Sequence, residues 1–117
     1  MNITEKENLI VKILDDLKCT EIKVLDVEKM TSIMDRMIIC TGRSSRHVSA
    51  SAGNLSTELK AHGFIPAGIE GLKSSDWVLV DLGDIIIHIM QRETRDFYNL
   101  EALWGDVPVI NDQAKMS

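Results

Sequence analysis

The stretch DWVLVDLGDIIIHIM, Asp76 to Met90, decides more about this chain than any other part of it. It reads as a tight β-hairpin, with runs Trp77–Leu82 and Ile85–Met90 on either side of a Gly83-Asp84 turn. That turn sets Leu82 opposite Ile85, Val80 opposite Ile87 and Val78 opposite Ile89, so six aliphatic side chains fill one side of the pleat. The other side carries Trp77 opposite Met90, Leu79 opposite His88, and Asp81 opposite Ile86. A face that mixes Trp, Met, His and Asp suits contact with a partner better than a dry core or a solvated surface.

Working outward, a helix is predicted over Thr94–Trp104, with Phe97, Leu100, Leu103 and Trp104 on its inner stripe and Gly105 ending it. Tyr98 lies about 100° round that helix from Phe97 and so points off the core. Residues 106–117, with Pro108, read as a polar, flexible tail. Upstream, Phe64–Ile69 is a short strand interrupted by Pro66, and Glu70 to Ser75 is a loop. Ser44 or Ser45 caps a helix carrying Val48, Ala52, Leu55 and Leu59, which Gly63 stops. Ile22–Val27 and Met34–Thr41 read as strands. Thr4-Glu5-Lys6-Glu7 is a capping box ahead of an apolar stripe of Leu9, Ile10, Ile13, Leu14 and Leu17. The order α-β-β-α-β-β-β-α predicts one α/β domain of the α+β kind over 1–105. Its sheet is mixed, with helices mainly on one face. The Trp77 face of the sheet is then left available.

At 117 residues the chain can bury a core without disulfides or metals. No apolar run is long enough to span a bilayer and no secretory signal is visible, so a cytoplasmic location is expected. Cys19 and Cys40 fit no metal spacing and suggest no disulfide framework. The net charge of −5 argues against a nucleic-acid backbone as the main ligand, because phosphate contacts need clustered Lys and Arg. No sequence-specific nucleic-acid binding is expected. A basic protein partner fits better, since opposite charge speeds encounter and selects orientation. An exposed apolar sheet face leaves a homodimer open.

Three constellations invite catalytic readings. Thr41-Gly42-Arg43-Ser44-Ser45-Arg46 is a strand, a glycine turn and a helix N-terminus, where an anion or nucleotide can bind. A nucleotidyltransferase needs carboxylates for its metals on the following strand, and Phe64–Ile69 has none. The plainer reading is a turn with a helix cap. Asp81 and His88 lie diagonally across the hairpin, but neither Ser74 nor Ser75 is marked as an activated nucleophile. His47, His62 and His88 are too scattered for a metal site. No cofactor or metal is implied. Trp77 and Tyr98 are instead of the residue types that anchor interfaces.

Asp35, then Ile38-Ile39-Cys40-Thr41-Gly42-Arg43-Ser44-Ser45-Arg46-His47-Val48, Glu70-Gly71, the hairpin up to His88, Arg95, and Tyr98 to Trp104 together resemble the ribosomal silencing factor family, also called Iojap. The likeness spans nearly the whole chain apart from the tail. It implies a nucleotidyltransferase-like fold without transferase activity. It also implies binding to large-subunit ribosomal protein fourteen on the surface that joins the two subunits. A factor there blocks docking of the small subunit and lowers translation under nutrient limitation. Carried over by motif, the partner-facing residues are Trp77, Asp81, His88 and Tyr98, with Glu70 as an acidic contributor; Met90, opposite Trp77 on the mixed face, is expected to join them. Arg36 departs from the family, which often has an aromatic or apolar residue after the aspartate.

Overall fold

A computed structural model describes residues 2–105 and 107–112. Helix α1 (Ile3–Asp16) leads into strands β1 (Thr20–Asp26) and β2 (Arg36–Gly42), followed by helix α2 (Ser45–Ala61). Strands β3 (Gly68–Glu70), β4 (Trp77–Asp81) and β5 (Ile85–Gln91) come next, then helices α3 (Arg92–Tyr98) and α4 (Leu100–Leu103) and strand β6 (Val109–Asp112). The six strands form one sheet in the order β3-β4-β5-β2-β1-β6. Only β2 and β5 run parallel among neighbours, so the sheet is mixed, as the element order predicts.

The hairpin register is the one its turn demands. Val78 pairs with Ile89 and Val80 with Ile87 on one side, while Trp77 pairs with Met90, Leu79 with His88 and Asp81 with Ile86 on the other. The Leu82 amide donates to the Ile85 carbonyl at 3.0 Å, and the Asp81 carboxylate accepts the Gly83 N–H at 2.7 Å. The aliphatic side faces α1 and α2. There Ile10, Leu14, Val48, Ala52, Leu55 and Leu59 close over Val24, Ile38, Val78, Val80, Ile85, Ile87 and Ile89. Each such side chain contributes roughly 1.5–3 kcal/mol by leaving water.

The opposite face is less open than its sequence suggests. Leu25, Val27, Met37, Ile39, Met90 and Val107 form a second, thinner core there, with Trp77, Leu100 and Trp104 packed against it. The β4 side of this face stays part-exposed, with Trp77, Leu79, Asp81 and Ile86 half-buried.

Three further expectations need correction. The first helix is capped by Asn2, whose Oδ1 accepts the Glu5 N–H at 2.9 Å, rather than by Thr4. Starting earlier turns Glu7 inward, where its carboxylate accepts Arg36 Nε at 2.9 Å. Arg36, which also reaches Asp26 at 3.1 Å, is therefore a buried cation held by acidic partners. Second, the last helix is two. Asn99 adopts a left-handed conformation (φ 47°, ψ 56°) that ends α3 and starts α4 in a new direction. Third, the expected tail supplies β6, antiparallel to β1, and the Pro108 carbonyl accepts the Asp26 N–H at 2.9 Å. Proline lacks a donor but its carbonyl can still join a ladder, which a reading of Pro108 as a breaker overlooks. Residues 113–117 of that tail lie outside the described residues.

Candidate protein-docking site

On this part-exposed side of the sheet, β4 presents Trp77 half-buried. Its Nε1–H donates to His88 Nδ1 on β5 at 2.9 Å. This bond assigns the imidazole proton to Nε2 in the neutral ring. Burial pushes the His88 pKa down from 6.5 to about 4. Near neutral pH the pair is therefore an uncharged support holding the indole in place.

The Trp77 ring meets Tyr98 with centroids 5.0 Å apart and planes tilted by 50°. Tyr98 in turn meets Phe97 edge-on, again at 5.0 Å. These spacings are those of favourable aromatic pairs. The row climbs from half-buried Trp77 to Tyr98, 53% exposed, and Phe97, 81% exposed. A cleft of about 560 Å³ runs beside it, lined by Ser74, Asp76, Trp77, Glu93, Thr94, Phe97 and Tyr98. Its two acids, Asp76 and Glu93, are exposed. Gln91 steadies Asp76 from the next strand, with Nε2 donating to its Oδ1 at 3.0 Å.

Two local devices aim this row. Before β4, Gly71 takes a positive φ of 94°, and a Cβ there would lie 2.1 Å from the Trp77 carbonyl oxygen. Only glycine allows the loop to pass so close to the Trp77 backbone. Ser75 closes the same loop, with its N–H donating to the Gly71 carbonyl and its hydroxyl to that of Leu72. After β5, Arg95 is buried in α3 and anchors it to the sheet. Its guanidinium donates to the Glu21 carbonyl at 2.8 Å, Thr41 Oγ1 at 2.9 Å and Glu101 Oε1 at 3.0 Å. Arg92 adds an ion pair with Glu21. With α3 held by its inner face, Phe97 and Tyr98 turn outward.

The structure thus brings Trp77 and Tyr98 together, as anticipated. Glu70 is exposed nearby, on a shallow hollow shared with Gly71, Trp77 and Leu79. Asp81 stands further along the strand and spends its carboxylate on the Gly83 turn rather than on His88. His88 and Met90 lie underneath. Met90 has no exposed surface and His88 very little, so neither offers a side chain at the surface, where both were expected to. That Phe97, Asp76 and Glu93 line the cleft, and that Arg95 anchors α3, was not anticipated. An asparagine inside an apolar helical pattern was the available signal, because Asn adopts the left-handed region far more readily than most residues.

The Gly42–Arg46 turn is engaged within the chain. Ser44 caps α2 by accepting the His47 N–H at 3.0 Å, and the Arg43 N–H donates to His47 Nδ1 at 3.0 Å. His47 Nε2 then meets the Leu17 carbonyl at 2.7 Å, tying α1 to α2. A Cβ on Gly42 would fall 2.6 Å from Val48 Cγ2, so close helix–strand packing accounts for this glycine. Among the described residues no group of three metal-ligating side chains is gathered.

Comparison with known proteins bears on this face. The family model described as "Ribosomal silencing factor during starvation" matches residues 1–117. That description is of a regulatory factor rather than an enzyme. The ribosomal silencing factor RsfS of Haemophilus influenzae is 55% identical over 96 residues, covering 82% of this chain and 94% of its own. A crystal structure from Chromobacterium violaceum superposes with a TM-score of 0.87 at 45% identity, covering 90% of this chain and 88% of its own. One from Bacillus halodurans superposes with a TM-score of 0.82 at 32% identity, covering 92% and 98% respectively.

Proposed function

This chain belongs to the ribosomal silencing factor (Iojap) family, and on that premise we propose that it is a translation repressor of the large ribosomal subunit. It docks through ribosomal protein fourteen and sterically blocks joining of the small subunit, lowering translation when nutrients are limiting. It does so in the cytoplasm, where free subunits meet. The observation that carries this reading is the exposed aromatic row Trp77–Tyr98–Phe97 beside Asp76 and Glu93. Aromatic side chains held by their neighbours lose little freedom on binding, which makes them effective anchors. The flanking carboxylates favour a basic protein surface and are repelled by ribosomal RNA, so docking selects protein over phosphate. Glu70 and Asp81 extend the acidic margin, and His88 and Met90 act from beneath. Occlusion of this kind needs bulk and affinity, not a reacting group.

Sedimentation with isolated large subunits tests it. The wild-type protein should co-sediment and should hold small subunits off when these are added. Trp77→Ala and Tyr98→Ala should each weaken association by about 1–2 kcal/mol, or roughly tenfold, with the fold intact by circular dichroism. Wild-type co-sedimentation by both folded variants would place the interface elsewhere. Wild-type protein that binds yet leaves subunit joining unaffected would refute the occlusion.

A further inference from the structure

The cleft beside the aromatic row holds two carboxylates that no cation of the described chain neutralises. Asp76 precedes β4 and Glu93 lies in the first turn of α3, and both line the cleft with Trp77, Phe97 and Tyr98. Arg92, next to Glu93 in sequence, is taken by Glu21 and Asp96, and Arg95 by Glu101. Lys6 goes to Asp84, and Arg36 to Glu7, Asp26 and Glu28. Among the described residues no ion pair reaches Asp76 or Glu93. Asp76 is bound to Gln91 alone, which is neutral. Its Oδ1 accepts Gln91 Nε2 at 3.0 Å, and its carbonyl accepts the Gln91 N–H at 2.9 Å. These bonds fix the carboxylate in place and leave its charge unspent.

The cleft is set before anything enters it. Asp76 is placed by the Gly71–Ser75 loop and by β5, and Glu93 by a helix that Arg95 ties to the sheet. The Trp77 and Tyr98 rings stand 5.0 Å apart at 50°, and Phe97 meets Tyr98 edge-on. Aromatic faces are electron-rich, so rings and carboxylates favour the same guest, a cation with a flat, weakly hydrated surface. A guanidinium meets both demands, because it stacks on rings and forks towards carboxylates. An ammonium group is compact and strongly hydrated, and it meets only the second. Phosphate would be repelled, and an aliphatic group would strip water from the carboxylates without replacing it. At about 560 Å³ the cleft has room for a long side chain.

We propose that this cleft is the receptor for one arginine side chain of a basic protein partner. Asp76 and Glu93 take the charge of the guanidinium, and the aromatic row takes its flat face. The assignment rests on the docking reading given above and sharpens it from a charged patch to a single side chain. Trp77 is the wall shared by this cleft and the shallow hollow of Glu70 and Leu79. The arginine therefore seats on one side of the indole while the rest of the partner's surface covers the other.

One test needs no ribosome. In the isolated full-length protein, N-acetyl-argininamide should shift the NMR resonance of the Trp77 indole N–H, and N-acetyl-lysinamide should bind several-fold more weakly. Asp76→Asn combined with Glu93→Gln keeps both side-chain shapes, including the acceptor for Gln91. That double variant should lose the shift and weaken large-subunit association roughly tenfold. The same change of charge on α1 and α2, Asp15→Asn with Glu58→Gln, falls on exposed residues of the opposite face. It should stay within about twofold of wild type, since salt confines the reach of an exposed charge. No indole shift in the wild type, equal binding of the two amides, or equal losses from the two double variants would each overturn the arginine assignment. So would a wild-type dimer that argininamide dissociates, which gives the cleft to a second copy. If Trp77→Ala loses the large subunit while the cleft variant keeps it, the docking reading stands and this assignment falls. If the cleft binds argininamide but the protein ignores the large subunit, the docking reading falls and the arginine site stands.

Discussion

Arg95 shows how a single charge can be both buried and useful. Its guanidinium spans the Glu21 carbonyl, the Thr41 hydroxyl and the Glu101 carboxylate, so β1, β2 and α4 all meet at one side chain of α3. Replacing it with Met keeps the length but strands those three acceptors. Arg95→Met should cost about 2–4 kcal/mol, read as a lower urea midpoint, because unpaired buried acceptors are expensive. His88 behaves oppositely, being buried as a neutral ring. With its folded pKa near 4 and an unfolded value of 6.5, the unfolded chain binds the extra proton between those limits. The stability from His88 is therefore complete above pH 6.5 and is lost as pH falls towards 4, by about 3 kcal/mol in all. Urea denaturation across that range should show the decline, and His88→Gln should flatten it. Neither behaviour was legible from sequence. Arg95 reads as one more charge on an exposed helix, and the Trp77–His88 hydrogen bond depends on ring positions that register alone does not give.

Among the elements, the hairpin and the last helix mark the two extremes of legibility. Trp77–Met90 was readable down to its register, since a two-residue turn and a two-residue period leave no freedom to slip. The run Thr94–Trp104 was not, because helical periodicity assumes an unbroken axis. Asn99 breaks it, and the expected inner stripe splits. Leu100 and Trp104 pack on the lower core, while Phe97 and Leu103 face solvent. The expectation that Tyr98 points off the core accordingly held, while Phe97, expected inside, is exposed. The left-handed backbone at 99 gives a direct check. Asn99→Gly should be close to neutral, whereas Asn99→Ala should lower stability by about 1 kcal/mol in thermal melts, since a Cβ without a compensating polar group disfavours that conformation. If Ala proves as stable as Asn, the break is imposed by packing alone.

At the scale of the whole molecule, the sheet separates two cores of unequal depth. Above it lie two long helices; below it lie two short ones and Val107, in the segment that leads into edge strand β6. The mixed sheet could be foreseen from the order of elements. The closure of the lower face could not, because it depends on Val107, Pro108 and β6, residues that look like a tail until β1 offers them an edge. A chain ending at Gly105 should lose about 2–4 kcal/mol and expose Leu25 and Met37 to an apolar dye, since it gives up the buried Val107 and the β6 hydrogen bonds.

The unequal depth also sets a hierarchy of motion. Amides of β2, β4 and β5 are gripped from above by α1 and α2 and exchange with solvent only when the entire domain unfolds. Those of α3, α4 and β6 are held by a thin layer and one guanidinium, so they exchange through a smaller, local opening. The aromatic row hangs from that layer. The proposed docking face can therefore loosen and re-form while the rest of the protein stays folded, so on the proposed function its hold on a partner is adjustable independently of the stability of the fold.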